Sequence, residues 1–224
     1  MSTSDERMSI LVDFQIRREI EEGKLIIEPF DDTLIQPNSY DVRLANSFSW
    51  HEKEGFADDV IDPYDSDSVL KGLVHSVGEN IVLQPGQFIL GATLERLCLP
   101  TDIVGQLTGK SSLARLGVMV HVTAGFIDAG FSHPPAQITL EIVNVGNRPV
   151  RLHAGMAIAQ MVFTRTEPCL LPYNKKPNAK YNGQPAAAHS RYYLNTQTTQ
   201  TVEDSTISIV TDPTSLVAFQ LLSS

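Results

Sequence analysis

From about residue 34 onward, the chain is a succession of short runs rich in β-branched and aliphatic residues. These runs have the length and composition of β-strands: Tyr40–Leu44, Asn80–Leu83, Gln87–Leu97, Ile103–Leu107, Val118–Val122, Ile138–Val145, Val150–Leu152 and Ala157–Phe163. Turn-forming pairs such as Pro85-Gly86 and Gly146-Asn147 separate them. Many short strands with regularly spaced turns indicate a mainly β fold, either a sandwich, a jelly roll or a barrel.

Outside these runs the pattern changes. Residues 12–22 carry apolar side chains four positions apart and are followed by Gly23, which predicts one short amphipathic helix near the N-terminus. We expect residues 1–8 to form a loose tail. Residues 51–80 are acidic and irregular, so we expect them to form an excursion from the β core.

Length, charge and composition restrict the functional class. The chain has 224 residues, enough for one domain with tails, and 17 basic against 26 acidic residues give a formal net charge of -9. An acidic surface repels nucleic acid, and no apolar run approaches the ~20 residues of a membrane-spanning helix. The two cysteines, Cys98 and Cys169, provide no disulfide framework. We therefore expect a cytoplasmic protein that binds neither nucleic acid nor membrane.

Acidic residues are missing from two long segments. Residues 103–127 and 168–202 contain no Asp or Glu, yet both contain basic residues: Lys110, Arg115, Lys175, Lys176, Lys180 and Arg191. One interpretation is a pocket for a polyanion, in which Lys and Arg contact phosphate groups. The other is chance clustering on a solvated surface, and charge alone leaves both open.

The stretch from Thr108 to Arg115 follows a predicted strand and combines glycine, hydroxyl and basic residues. This combination suits the binding of an oxyanion or phosphate. It is not a P-loop, because Val104 occupies the position of the leading glycine. The alternative is a polar turn that enters a short helix at residues 113–116.

A single carboxylate, Glu141, lies in the middle of a nearly continuous apolar run. Such a run predicts a strand buried on both faces, where a charge is costly unless it is paired or its pKa is raised. Glu141 is therefore either a proton-transferring group or one half of a structural salt bridge, for example with Arg115. His121, in another apolar run, is interpreted as a core or interface histidine.

Zinc chemistry has no signature in the sequence. None of the six histidines has Glu two positions later, and Cys169 has no partner at the spacing that zinc-dependent nucleobase deaminases use. We therefore predict no protein-bound zinc site.

Several motifs, taken together and in order, resemble the dCTP deaminase family of the dUTPase-like superfamily. The residues that carry the resemblance, within residues 8–195, are 36–44 (QPNSYDVRL), 109–117 (GKSSLARLG), 121–128 (HVTAGFID), 138–141 (ITLE), 155–160 (GMAIAQ) and 172–184 (PYNKKPNAKYNGQ). The resemblance implies a distorted jelly-roll fold and a homotrimer with active sites shared between subunits. It implies the zinc-independent conversion of dCTP and water to dUTP and ammonia, which supplies the route to dUMP and dTTP.

The resemblance also implies roles for individual residues. Glu141 would be the general acid and base, Ser111 and the backbone carbonyl of Ala124 would hold the attacking water, and Arg115 would stabilise developing charge. Asp128 would hold the sugar 3′-hydroxyl. The triphosphate would be bound by a set of polar side chains: Lys110, Ser112, Tyr173, Lys180 and Gln184. Mg²⁺ would be carried by the phosphates, and residues 173–195 would form a lid.

Some positions depart from the family's usual pattern. Gly125-Phe126 stands where members that only deaminate have His-Arg, and it resembles the bifunctional members that also cleave dUTP to dUMP and pyrophosphate. The stretch Ser132–Gln137 is longer than the usual turn, and residues 196–224 form an extension without an assigned role.

Two other functions remain as alternatives. A plain dUTPase is disfavoured because the glycine-rich motif expected near its C-terminus is missing. A non-catalytic nucleotide-sensing or protein-binding module is the other. The sequence leaves open the dUTPase step and feedback inhibition by dTTP.

Overall fold

Antiparallel strands from distant parts of the chain form two main sheets in this computed structural model, which describes residues 8–52 and 60–198. In chain order, the strands are β1 (Ile26–Glu28), β2 (Ile35–Gln36), β3 (Ser39–Arg43), β4 (Ser47–His51), β5 (Leu73–Val77), β6 (Asn80–Leu83), β7 (Phe88–Cys98), β8 (Ile103–Gly109), β9 (Val118–Met119), β10 (Phe126–Ile127), β11 (Ala136–Asn144), β12 (Val150–His153) and β13 (Ala157–Arg165). The helices are α1 (Asp13–Glu21), α2 (Ser66–Leu70) and α3 (Ser111–Ala114), with 3-10 turns at Asp32–Leu34, Tyr173–Lys175 and Tyr192–Thr198.

Strands far apart in sequence lie side by side in both sheets. The first sheet has the order β5-β4-β7-β11-β9, with β1 paired to the far end of β7. The second has the order β10-β8-β13-β3-β2, and β6 and β12 form a separate ribbon. One hydrophobic core fills the space between the sheets and includes Tyr40, Leu107, Leu140 and Phe163. This is the mainly β architecture with a short N-terminal helix that the sequence predicts.

Three expectations about where the elements lie need correction. Residues 51–80 are not simply irregular, because α2 and β5 lie there; β5 was missed because it is a mixed-polarity strand paired only with β4. The run that begins at Val118 is a strand for only two residues before the chain turns away. The short helix begins at Ser111, two residues earlier than expected. The predicted tail at residues 1–8 and the extension at 196–224 lie almost wholly outside the described residues.

The two faces of β11 differ, contrary to the expectation of a strand buried on both sides. Buried and half-buried residues alternate strictly along it. Leu140 and Ile142 point into the core, whereas Thr139, Glu141 and Val143 share the half-buried face. Alternation follows from the period of two in a strand, which the uniformly apolar sequence concealed.

A close backbone contact fixes α3 beside the end of β11. Gly117 ends the turn after α3 with φ +85°, and a Cβ there would lie 2.7 Å from the Cα of Gly146. The turn at Gly146 is held in turn by Asn144, whose Oδ1 accepts its backbone N–H at 2.9 Å. Only glycine at residue 117 permits both the positive φ and this approach.

A buried ion network ties α1 to the second sheet. Arg165 of β13 donates from Nη2 to Glu19 Oε1 at 2.5 Å and from Nη1 to Asp102 Oδ2 at 2.6 Å. The side chains of Arg165 and Glu19 are only 6% and 1% exposed. Removing one partner of such a pair leaves an uncompensated charge away from water.

We expect Arg165→Met to lower the free energy of unfolding by about 3 kcal/mol, because Glu19 then keeps only the partly exposed Arg18 nearby. Urea denaturation measures this difference. The control is Arg17→Ala, which removes a surface ion pair with Asp32 and is expected to cost about 0–1 kcal/mol. Equal losses in the two variants would contradict a special role for the buried network.

Candidate active site

The start of α3 brings three predicted site residues together. β8 ends at Gly109, and the carbonyl of Lys110 accepts the N–H groups of Leu113 and Ala114, which begins the helix. Ser111 is its first residue, and Arg115 one turn later donates from Nη1 to Ser111 Oγ at 3.3 Å. Both side chains are exposed. The guanidinium of Arg115 and the hydroxyl of Ser111 therefore lie side by side at the surface.

Lys110 is held by a carboxylate of β3, which is separated from β8 by β13 in the second sheet. Its Nζ donates to Asp41 Oδ2 at 2.6 Å, and Asp41 on β3 is only 6% exposed. The second oxygen, Asp41 Oδ1, is buried and has no hydrogen-bond partner among the described residues. The ion pair fixes the position of the lysine and offsets part of its charge.

An open groove of about 420 Å³ lies beside α3. Its walls come from the end of β8, from α3, from β9 and the segment after it, and from one residue of β13: Thr108, Gly109, Lys110, Ser111, Ala114, Val118, Met119, Val120, His121, Val122 and Gln160. Hydroxyl, amide, imidazole and ammonium groups thus surround one cavity. The groove joins the acid-free segment 103–127 to β13.

Glu141 borders this groove through a backbone contact. The N–H of Val122, which lines the groove, donates to the Glu141 carboxylate. Burial raises the pKa of Glu141 above its ordinary value, and hydrogen bonds from its own backbone N–H and from that of Val122 offset only part of that shift. Among the described residues no cation lies within ion-pair distance, so the structure contains no salt bridge to Arg115. Of the two interpretations drawn from the sequence, the salt bridge to Arg115 is therefore wrong, and proton transfer stays a prediction.

The loop that carries Ala124 is anchored to β8 by its neighbour. Leu107 donates its N–H to the carbonyl of Gly125 at 2.6 Å, and a Cβ on Gly125 would lie 2.6 Å from the Leu107 oxygen. Ala124 itself is exposed. His121 lies past the end of β9 rather than inside a strand, and its buried Nδ1 has no partner in the described part of the chain. It is therefore a groove residue and not a satisfied core histidine.

A second cluster forms around the segment of residues 172–191, here called the strap. Lys176 Nζ lies 3.8 Å from Asp128 Oδ2, in the loop that follows β10. The Tyr173 ring packs on Phe131 with centroids 5.6 Å apart, and its hydroxyl accepts the Tyr181 N–H at 3.2 Å. The strap thus begins beside the predicted sugar-binding aspartate.

Farther along, the strap covers part of the half-buried face of β11. Gln184 is buried and donates from Nε2 to the Gln137 carbonyl at 2.8 Å and to Thr139 Oγ1 at 3.1 Å. Thr139 and Glu141 are two positions apart and so lie on the same face. Lys180 Nζ lies 5.8 Å from the centroid of the Tyr192 ring. The strap therefore lies against the strand that carries Glu141.

The structure groups the predicted residues in two clusters, one at α3 and one at the strap, with β11 between them. Ser112 is exposed on α3 and forms no described side-chain hydrogen bond. Three contributors were missed from the sequence: Val122, Thr139 and Gln160. The signal for Thr139 was present, because it is two positions from Glu141. Val122 acts through its backbone, which no side-chain pattern reveals.

Within residues 8–52 and 60–198, no group of three or more His, Cys, Asp or Glu side chains is arranged to hold a metal ion. None of the helices in these ranges is long and apolar enough to span a bilayer.

A family model and similar proteins identified by comparison indicate the same protein family. A model of dCTP deaminase-like proteins matches residues 10–166. The chain is 52% identical over 186 residues to the "dCTP deaminase, dUMP-forming" of Methanospirillum hungatei, covering 83% of this chain and 97% of that protein. It is 48% identical over 189 residues to the protein of the same name from Mycolicibacterium vanbaalenii, with coverage of 83% and 97%.

A solved structure supports the same fold. The 2′-deoxycytidine 5′-triphosphate deaminase from Agrobacterium tumefaciens superposes with a TM-score of 0.55 at 26% identity, covering 71% of this chain. The match spans 47% of that longer protein. Because the family model covers more than half of this chain and the relatives are aligned along nearly their whole length, the chain belongs to the dCTP deaminase-like family.

Proposed function

We propose that this protein is an enzyme that deaminates dCTP to dUTP and then hydrolyses dUTP to dUMP and pyrophosphate. The observation that carries the proposal is Glu141, a carboxylate with a raised pKa and no cationic partner among the described residues, beside a groove lined by Lys110 and Ser111. The names of the relatives, "dCTP deaminase, dUMP-forming", support both steps.

In the first step, Glu141 acts as base and then as acid. It takes a proton from a water held by Ser111 and the Ala124 carbonyl while the water oxygen attacks C4 of the cytosine. It passes this proton to N3, which gives a tetrahedral intermediate, and Arg115 stabilises the developing charge. Transfer of the remaining hydroxyl proton to the amino group releases ammonia and forms the uracil carbonyl. The raised pKa makes Glu141 a stronger base than an ordinary glutamate, which favours proton uptake from the water.

The deamination step is proposed to need no zinc, because a carboxylate base replaces the metal that would otherwise activate water. The absence of zinc-deaminase spacings from the sequence supports this.

Phosphate binding is assigned to the two clusters of basic and polar residues. Lys110 and Ser112 contribute from α3, and Tyr173, Lys180 and Gln184 contribute from the strap. Mg²⁺ fits this site as a companion of the triphosphate, since it commonly binds through phosphate oxygens and water rather than a protein cage. Its chemistry is charge neutralisation on the phosphates. Asp128 binds the sugar 3′-hydroxyl and, in the second step, lies near the hydrolytic water.

The active form is proposed to be a homotrimer with shared sites. Val143 on β11 lies opposite Phe88 of β7 and opposite Met119 of β9. Phe88 and Met119 are 44% and 42% exposed. Cross-strand partners share a face, so these side chains form an exposed apolar row beside Glu141, which is typical of a protein contact.

The domain is proposed to extend to about residue 195, with residues 173–195 as the lid and 196–224 as an extension. We further propose that the enzyme acts in the cytoplasm. We also propose that dTTP is a feedback inhibitor; adding dTTP to the product assay on dCTP tests this.

We expect the protein to release ammonia and form dUMP from dCTP with Mg²⁺, and Glu141→Gln to lower the deamination rate by about 10²–10⁴-fold because the proton carrier is lost. Chromatography that resolves dCTP, dUTP and dUMP measures both. The matched control is Glu167→Gln, the same change at an exposed site outside the groove, which should keep the wild-type rate.

Other outcomes separate the alternatives. Turnover of dUTP but not dCTP would identify a plain dUTPase. Nucleotide binding without any product would identify a sensing module. Deamination at the wild-type rate by Glu141→Gln would remove the proposed role of that residue.

Glu141→Gln should also stabilise the fold at neutral pH. Since burial raises the pKa of Glu141, stability from its protonated form is complete below the unfolded pKa and is lost as pH rises through the folded pKa. We therefore expect the variant to exceed the wild type in unfolding free energy at about pH 8, with a smaller difference at about pH 5. Urea denaturation at both pH values measures this, and Glu167→Gln should show no such trend.

Phe88→Glu should convert the trimer to monomers and reduce activity with it, because it places charge in the exposed apolar row. Light scattering coupled to gel filtration gives the mass. Val77→Glu is the control, since Val77 is 73% exposed on β5 away from that row. A trimeric Phe88→Glu protein would exclude this row as the subunit contact.

A further inference from the structure

One asparagine of the strap joins it to the loop before β11. The Oδ1 of Asn182 accepts the His133 N–H at 3.0 Å and a hydrogen bond from Ser132 Oγ at 2.9 Å. Its Nδ2 donates to the His133 carbonyl at 3.0 Å. The side-chain amide therefore satisfies both backbone polar groups of His133, as a neighbouring strand would.

The next residue of the strap completes this clasp, which consists of Ser132, His133, Asn182 and Gly183. Gly183 donates its N–H to Ser132 Oγ at 2.6 Å, and Ser132 is fully buried. Asn182 itself is exposed, so its contacts hold the strap without filling the core. The loop belongs to the stretch Ser132–Gln137, whose extra length the sequence left without a role.

The clasp lies immediately before the part of the strap that covers β11. Gln184 follows Gly183, and its carbonyl accepts the Gln137 N–H at 3.2 Å. Ala188 then donates its N–H to Thr139 Oγ1 at 3.0 Å. These contacts place the strap two positions from Glu141 on the same face of β11. The contacts that hold Asn182 therefore also hold the part of the strap that begins at Gln184 and lies on β11.

We propose that Asn182 is a positioning residue, which anchors the strap on the His133 backbone so that Lys180 is held ready for the triphosphate while Gln184 keeps its hydrogen bonds to β11. The expected effect on catalysis rests on the proposed function. The hydrogen bonds of the clasp are independent of that function. The long stretch Ser132–Gln137 thus provides the backbone groups to which the strap is anchored.

The first test measures strap docking without any nucleotide. Lys180 precedes the clasp by two residues and is a trypsin site within the strap. Asn182→Ala removes the Asn182 contacts, and the loss of even one net hydrogen bond shifts the equilibrium toward the undocked strap. Cleavage after Lys180 should therefore be accelerated by roughly tenfold. Asn178→Ala is the control, since Asn178 is an exposed strap residue with no side-chain hydrogen bond among the described residues.

The second test measures the kinetic consequence with dCTP and Mg²⁺. We expect Asn182→Ala to raise KM by roughly tenfold and to change kcat by less than about twofold, because ground-state binding is lost while the chemistry is intact. Ser132→Ala should act in the same direction, and the double variant should be no worse than the stronger single variant, because both remove one clasp. Asn178→Ala should keep wild-type KM.

The two tests fail separately. Wild-type cleavage and wild-type KM in Asn182→Ala would overturn the inference and leave the proposed function intact. Faster cleavage with an unchanged KM would also overturn it, because the clasp would then be structural only. If the wild type forms no product from dCTP, the proposed function fails, and cleavage after Lys180 still decides whether Asn182 holds the strap.

Discussion

An ionisable carboxyl without a counter-charge among the described residues, on the half-buried face of β11, is the constraint on which the site depends. Glu141 is dehydrated enough for its pKa to rise, yet the Val122 N–H stabilises its ionised form. Full burial would keep the carboxyl protonated, and full exposure would keep it ionised. A group that exchanges protons with substrate needs an intermediate environment. The strand provides it by sending Leu140 and Ile142 into the core and leaving the other face at the surface.

The surroundings of Glu141 differ in chemistry on its two sides. On the α3 side, Lys110 and Ser111 line a groove with a positive edge, and Asp41 restrains the lysine. On the strap side, Gln184 is already hydrogen-bonded to β11. In the proposed function, this division keeps Glu141 free of strong ionic partners while the residues assigned to phosphate binding lie on either side of it.

The β class, the N-terminal helix and most strands could be predicted from the sequence, because their apolar runs and glycine turns are local signals. β5 and the two faces of β11 could not, since edge pairing and one-sided burial depend on which strands become neighbours. The residue types of the site were also predictable from motif resemblance. The contacts of Val122, Asp41 and Asn182 were not, because each joins segments far apart in sequence through backbone groups or a single side chain.

The packing of Gly117 against Gly146 restricts which sequence changes are compatible with the groove. Here two main chains touch, and no side chain lies between them that could shrink or rotate to absorb a displacement. The spacing between the turn after α3 and the turn after β11 is therefore set by the direct contact of the two main chains. Side chains that line the groove can be exchanged without altering that spacing, whereas lengthening either glycine turn by one residue would shift α3 relative to β11.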